Sequence, residues 1–462
     1  MSNLPFYARG EENQGYIKNM KVVGFHDLNK TFAFQMALHK TEDGKYYMYC
    51  GSFKGAGWNI LDVTDPTNPR HVKFFECCDP NEYKAQSTPK IQVADGLMIA
   101  ALGGGVPFLH GIEPGDKALG GLQIYDLKED PENPKLLAHW DTGVQGMGVH
   151  RFAYNGGRYV YLCSEAPGFV GFIVRILDII DPTNPVECGR WWMPEQFKDG
   201  MDEGTYPVGH DAEKDWAMCH ACTLTSDDRP HLYMGYFGGG GISLDISDPT
   251  RPKKLGQIKM QPPFAGKFCG ARCHTYLPLK NRDFAVLTNE GERFAFFNAD
   301  KIKNGKHKGA QPMNNLHMID ISDPTDPTLI AEFPYPEVPE GFPYRNFNDC
   351  GIGAAGPFGP HNIHEPMGKP WLQDDPNLVY CCYFHAGLRV YDVSDPYYIK
   401  EIAYFIPPNP VEKCFEVDMP GPFIATTEDI VVDDRGYIYI DTFHDGMYIL
   451  TLDEEAKAKM PK

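Results

Sequence analysis

One phrase returns six times along the chain, and it constrains the fold more than any other feature. LDVTDPTNP begins at Leu61, YDLKEDPENP at Tyr125, LDIIDPTNP at Leu177, LDISDPTRP at Leu244, IDISDPTDP at Ile319 and YDVSDPYYI at Tyr391. The copies recur every roughly 50 to 75 residues, the kind of period that marks a repeat architecture. In each copy an apolar run ends in Asp, and an Asp-Pro turn follows. Pro sets φ there, and Asp or Asn bonds the neighbouring backbone to tighten the reversal. A strand-like segment comes next, such as HVKFFE after Arg70 or KLLAHW after Pro134. Two further β-like stretches precede each phrase, for example NLVYCCYF from Asn377 and LRVYDV from Leu388. Each repeat is therefore about four short strands, and four-stranded units set in a ring are the blades of a β-propeller.

A seventh unit closes the series: EDIVVDD from Glu428, GYIYIDTF from Gly436 and GMYILTLD from Gly446. It lacks the phrase and an outer strand. The stretch IKNMKVVGF from Ile17 has the character of that missing strand. The phrase itself resembles that of the LVIVD-repeat family of propellers, and the resemblance covers nearly the whole chain. It implies a propeller fold and passes on no catalytic residue. The expectation is an all-β, seven-bladed β-propeller forming one domain over residues 1–462. Its blades fall near 30–76, 86–140, 147–192, 217–260, 271–334, 360–406 and 425–453, with 17–25 closing the ring from the N-terminal side.

A formal charge of −19 argues against nucleic acid and against anionic membrane surfaces, both of which need a basic face. No apolar run approaches the length that spans a bilayer. The opening MSNLPFYARGEENQGY lacks a basic-then-apolar secretion pattern. Thirteen cysteines, an odd number, read as mostly reduced thiols, so a cytoplasmic protein is expected. The CxxC pair Cys219 and Cys222 reads as buried structural thiols rather than a zinc site. Alternation along a strand turns Cys219 and Cys273 away from the side their neighbouring histidines face.

With strands labelled A to D from the axis outward, the Asp-Pro phrases are the C–D turns and sit on one face. The A–B turns read as short. The long, Phe/Tyr/Pro-rich segments 193–216, 334–359, 103–120 and 291–313 fall on the other face, where binding loops usually sit. Strand A begins on that face beside the axis. Aligned by their place at the start of each repeat, the seven strand-A starts share a column: His150, His220, His274 and His361 in four consecutive blades, and Gln35, Lys90 and Glu428 in the other three. His364 competes with His361 for its place. The ends of strand B bring His385, His444, Glu165 and Glu290 to the same rim.

Imidazoles converging from separate rigid strands suit one divalent ion, Fe(II) foremost, with Mn or Zn as alternatives. On this reading His150, His220, His274 and His361 are ligands. Glu165, Glu290 and Gln35 support them from behind, and Lys90, Glu428, His444 and His385 are acid–base candidates. Four histidines on iron in a seven-bladed ring are similar, in architecture only, to the carotenoid-cleavage oxygenases; no motif of that family is present. The leading expectation is an iron oxidoreductase or dioxygenase acting on a small or medium apolar or aromatic molecule. A metal-dependent lyase, hydratase or hydrolase at the same site is the alternative, and a non-catalytic interaction scaffold is the third reading.

Overall fold

In a computed structural model, residues 15–105, 112–197, 217–259, 273–290, 314–343, 346–347, 358–412, 414 and 424–459 are described. The strands assemble into seven antiparallel sheets, the blades of a propeller. The first blade shows the plan: Ala33–Lys40, Tyr46–Ser52, Gly57–Asp62 and Arg70–Glu76, paired in that order from the axis outward. Its inner three strands are buried almost throughout, whereas Arg70–Glu76 is half-exposed. The inner strands carry apolar side chains on both faces because each blade is sandwiched between two others, and the core is the set of layers between blades.

The repeated phrase works as its chemistry predicts. Asp62 accepts the Thr64 N–H, and Asp65 accepts both the N–H and the hydroxyl of Thr67. The same pair of turns recurs at Asp178 and Asp181, at Asp245 and Asp248, and at Asp320 and Asp323. Two side-chain-locked turns in succession are why the phrase is the best-preserved part of each repeat.

Ring closure comes from the N-terminal side. Met20–His26 pairs antiparallel with Gly446–Leu452 as the outermost strand of the seventh blade. The short stretch Tyr16–Lys18 does something else: it pairs with Lys400–Ile406 and adds an outer strand to the sixth blade. The segment around 17–25 thus divides between two blades, with Asn19 between them donating its side-chain amide to the Ile402 carbonyl.

One A–B connection is not short. In the sixth blade the chain after Glu365 runs across the axis as a strap. Trp371 Nε1 donates to the Leu38 carbonyl, Lys369 Nζ bonds Gln92, Asn155 donates to the Met367 carbonyl, and the Gln373 N–H bonds Val432. These partners belong to the first, second, third and seventh blades, so the strap shuts the channel on the A–B side. No helix among the described residues is long and apolar enough to cross a membrane.

Candidate metal centre

The column of strand-A residues is built by a repeated defect. In the third blade the pairing of strands A and B slips between Val149 and Arg151, leaving His150 out of register. In the fourth it slips between Cys219 and Ala221, around His220, and in the fifth between Cys273 and Tyr276, around His274. The seventh slips between Thr427 and Ile430, around Glu428, and the first between Ala33 and Met36, around Gln35. A bulge frees one residue from the ladder and re-aims its side chain. In the third and fourth blades the freed residue is the column residue itself; in the first, fifth and seventh the slip spans two residues, one of which is the column residue.

The four histidines follow one another around the axis. Ring centroids are 4.4 Å apart for His150 and His220, 4.2 Å for His220 and His274, and 4.6 Å for His274 and His361. His220, His274 and His361 are buried and His150 is half-buried. Three rings lie flat on a phenylalanine of their own blade: His150 on Phe172, His220 on Phe237 and His361 on Phe384. Glycine lets the blades close up behind them. A Cβ on Gly235 would stand 2.1 Å from the His274 carbonyl oxygen, so no other residue fits there without moving that strand.

Glu290 reaches into the middle of this row from the end of strand B. Its carboxylate oxygens lie 3.7 Å from His220 Nε2 and 3.6 Å from His361 Nε2. Ligand atoms of His220, His274 and Glu290 all fall within 4.8 Å of one another, so this buried group could hold a metal ion. His150 Nε2 and His220 Nε2 are 2.8 Å apart. At that distance one ring's N–H donates to the other ring's lone pair, and a bound ion would take the place of that proton.

A backbone carbonyl sets the tautomer of His361. His361 Nδ1 lies 2.8 Å from the Glu428 carbonyl oxygen, which only an N–H can satisfy, so Nε2 carries the lone pair. His274 Nδ1 lies 2.7 Å from Thr275 Oγ1 and 3.3 Å from Arg151 Nη1, which can only donate; the same guanidinium nitrogen is 3.3 Å from Thr275 Oγ1. His274 Nε2 and His220 Nδ1 are buried with no hydrogen-bond partner among the described residues. A buried ring nitrogen without a partner is costly unless something else binds it. Burial, reinforced by the nearby cations Lys90 and Arg151, holds all four imidazoles well below their ordinary pKa, hence neutral and ligand-competent.

Lys90 occupies the column in the second blade. Its Nζ is buried 3.6 Å above the Phe34 ring and has no hydrogen-bond partner among the described residues. Burial and then the charge of Arg151 lower it to about 7, against the opposing pull of Glu428, Asp429 and Glu290. Glu428 adds a carboxylate 3.3 Å from His361 Nδ1. Gln35 lines a small cavity of about 30 Å³ under the strap, together with Gln92, His364, Glu365, Lys369 and Asp429. His364 turns into the strap: its Nε2 donates to the Gln373 carbonyl, and its Nδ1 accepts the Val432 N–H. His361, not His364, therefore lies in the row.

Three rim residues lie elsewhere. Glu165 accepts the Gly148 N–H at 2.8 Å and braces the turn that leads into His150, rather than an imidazole. His385 packs between Phe342 and Phe347, with Nδ1 on the Phe347 carbonyl. His444 stands beside Cys414, at the far end of an aromatic wall running through Phe34, Phe53, Phe32 and Phe443. Of the long segments on the strand-A-start face, 106–111, 198–216, 291–313, 344–345 and 348–357 lie outside the described residues.

Sequence reasoning passed over Arg151 and Glu365. This buried pair meets at 2.5 Å, and Arg151 also donates to Asn362 while lying against His274 and Thr275. Arg151 follows the column residue His150 directly, so a charge next to a column position was the available signal for it; Glu365 stands four residues after His361 and had none.

Comparison with known proteins agrees with the fold. Residues 310–333 match the LVIVD repeat. The chain carries an LVIVD repeat in its fifth blade. No curated protein matches the chain in sequence. Among solved structures, a streptogramin B lyase is similar with a TM-score of 0.50 and 11% identity, over 96% of this chain and all (100%) of that one. A periplasmic gluconolactonase of Pseudomonas aeruginosa has a TM-score of 0.47 and 10% identity, over 91% and 99% of the two chains. The β-propeller domain of Myceliophthora thermophila Cps50 (Swd1) has a TM-score of 0.47 and 10% identity, over 94% and 99%. At 11% identity the likeness to the lyase shows the fold alone.

Proposed function

We propose that this LVIVD-repeat propeller is a metal-dependent enzyme, with one divalent ion at the axis held by His220, His274 and Glu290 and flanked by His150 and His361. The observation that carries the reading is the buried His/His/Glu group, within which His274 Nε2 has no hydrogen-bond partner among the described residues. Two histidines and one carboxylate with further positions open are the ligand set of non-heme iron enzymes that use dioxygen. Iron oxidoreductase chemistry is accordingly the leading assignment. When bound, the ion supplies a dipositive centre that seats and polarises a substrate oxygen or dioxygen.

The chain's own residues do the rest. The Phe172, Phe237 and Phe384 faces fix the imidazole planes. Glu428, through its carbonyl, holds the proton of His361 on Nδ1. The Phe34, Phe53 and Phe32 wall gives an apolar or aromatic substrate a surface to lie on. The strap excludes water from the A–B side.

A second reading keeps the ion and changes the reaction to lyase, hydratase or hydrolase chemistry. Lys90 favours it: an amine titrating near 7 at the site is a competent general base at neutral pH.

Elemental analysis of the purified protein, beside a His220→Ala/His274→Ala variant, tests the proposal. Near-stoichiometric iron, lost from the variant, with turnover that stops without oxygen, supports the oxidoreductase. Zinc or manganese with anaerobic turnover supports the second reading. A folded wild type that takes up no metal overturns both and leaves a scaffold.

A further inference from the structure

Behind the histidine row lies a second cluster that the proposed reaction does not use. Cys163, from strand B of the third blade, faces Cys219 and Cys222, from strand A of the fourth. The sulfurs are 3.1 Å apart for Cys163 and Cys219, 3.4 Å for Cys163 and Cys222, and 3.9 Å for Cys219 and Cys222. All three residues are buried, with exposures of 0–1%.

Regular alternation would put residues three apart on opposite faces of a strand. The slip around His220 cancels one step, so Cys219 and Cys222 point the same way. The bulge that sends His220 toward the axis therefore also assembles the sulfurs on the other side of its strand. The wall around them is apolar and aromatic, with Phe172, Val174, Met234 and Tyr236 in the same core cluster. Arg151 is close enough to Cys163 and Cys222 to act on them electrostatically.

Three sulfur atoms converging from three chain positions in an apolar cage make a soft, compact donor set. Bound to a metal at about 2.3 Å, three thiolates would sit about 4 Å apart, within 1 Å of where these sulfurs stand. Soft sulfur ligands select monovalent copper and its thiophilic relatives over iron or manganese. Trigonal sulfur coordination satisfies monovalent copper, whereas zinc in structural sites takes four ligands.

We infer that Cys163, Cys219 and Cys222 form a second metal site, separate from the histidine centre, that takes one monovalent copper ion. Each sulfur that binds as thiolate releases its proton to solvent as the copper–sulfur bond forms, and no electron is transferred.

The test is anaerobic loading of the full chain with monovalent copper against a chromophoric competitor, offered both to native protein and during refolding. The wild type should retain one equivalent in either case, with X-ray absorption showing a sulfur-only first shell. The His220→Ala/His274→Ala variant should retain it equally, which separates this site from the axial one. Cys163→Ser and Cys222→Ser should each weaken binding at least tenfold. A nitrogen first shell in the wild type, copper lost with the histidines, or no retained copper under either loading overturns the inference. Because the wild-type absorption spectrum reports the ligands directly, the result stands even where a serine variant fails to fold.

Discussion

His364 and His385 show how a buried imidazole couples this fold to pH. Both are buried, and burial pulls each down to about 4, against the opposing effect of a carbonyl contact, from an ordinary value of 6.5. The four axial imidazoles are pulled down as well. The folded form of such a group refuses a proton that the unfolded chain accepts at 6.5. Its contribution is therefore complete above pH 6.5 and is lost as the pH falls from there toward the folded value. Each buried imidazole contributes a slope of up to about 1.4 kcal/mol per pH unit in that window. Urea unfolding of the metal-free protein should show stability dropping steeply between pH 6.5 and 5. His385→Leu, in its cage of Phe342 and Phe347, should flatten that slope by about one proton's worth. An unchanged slope in the variant would show that His385 does not stay neutral in the folded state.

At the scale of the strand, the bulge is the device that makes the site, and deleting a residue tests it. Around His220 the ladder runs Met218 to Phe237 and Cys219 to Tyr236, then resumes at Ala221 with Gly235. Deleting His220 joins the two halves in regular register and leaves every other pair intact. Deleting Thr223, in the regular part, forces the strand to re-register or to turn Leu224 away from its partner Leu232. The first variant should fold, with stability lowered by no more than about 3 kcal/mol, and should lose the axial metal; the second should fail to fold. Thermal melts followed by circular dichroism, together with metal content, decide between them. If deletion of His220 also abolishes folding, the bulge is structural rather than a means of aiming the side chain. The same device explains what was legible in the sequence. The column of His150, His220, His274 and His361 could be found because each histidine opens the first strand-like stretch of its repeat, ahead of the Asp-Pro phrase. The bulge could not be read, because alternation assumes unbroken pairing; that assumption hid the convergence of Cys219 and Cys222. Glu165 and His385 sit at the strand ends where the pattern put them. Their partners, a backbone N–H and two phenylalanines, depend on loops that no repeat predicts. The strap after Glu365 went unread for a related reason: it is an insertion in one blade only.

The ring as a whole ties the site to the two ends of the chain. The histidines come from the third to sixth blades, but the carbonyl that orients His361 and the carboxylate beside it belong to Glu428 of the seventh. That blade is completed by Met20–His26, and the sixth is extended by Tyr16–Lys18. Without these strands, Gly446–Leu452 would present an unpaired edge over a core that includes Ile440, Tyr448 and Leu450. A chain lacking residues 1–26 should therefore unfold several degrees lower, with reduced cooperativity, and should purify with little metal, because Glu428 is no longer held against His361. A synthetic peptide covering residues 15–27, added in excess, should restore the melting temperature in a concentration-dependent way, since it binds only the folded ring. Metal content should recover in step with the melting temperature. If the truncated chain melts like the parent, the N-terminal strands do not close the ring. If the peptide restores the melt but not the metal, closure and the axial site are independent, and the orientation of His361 does not depend on the seventh blade.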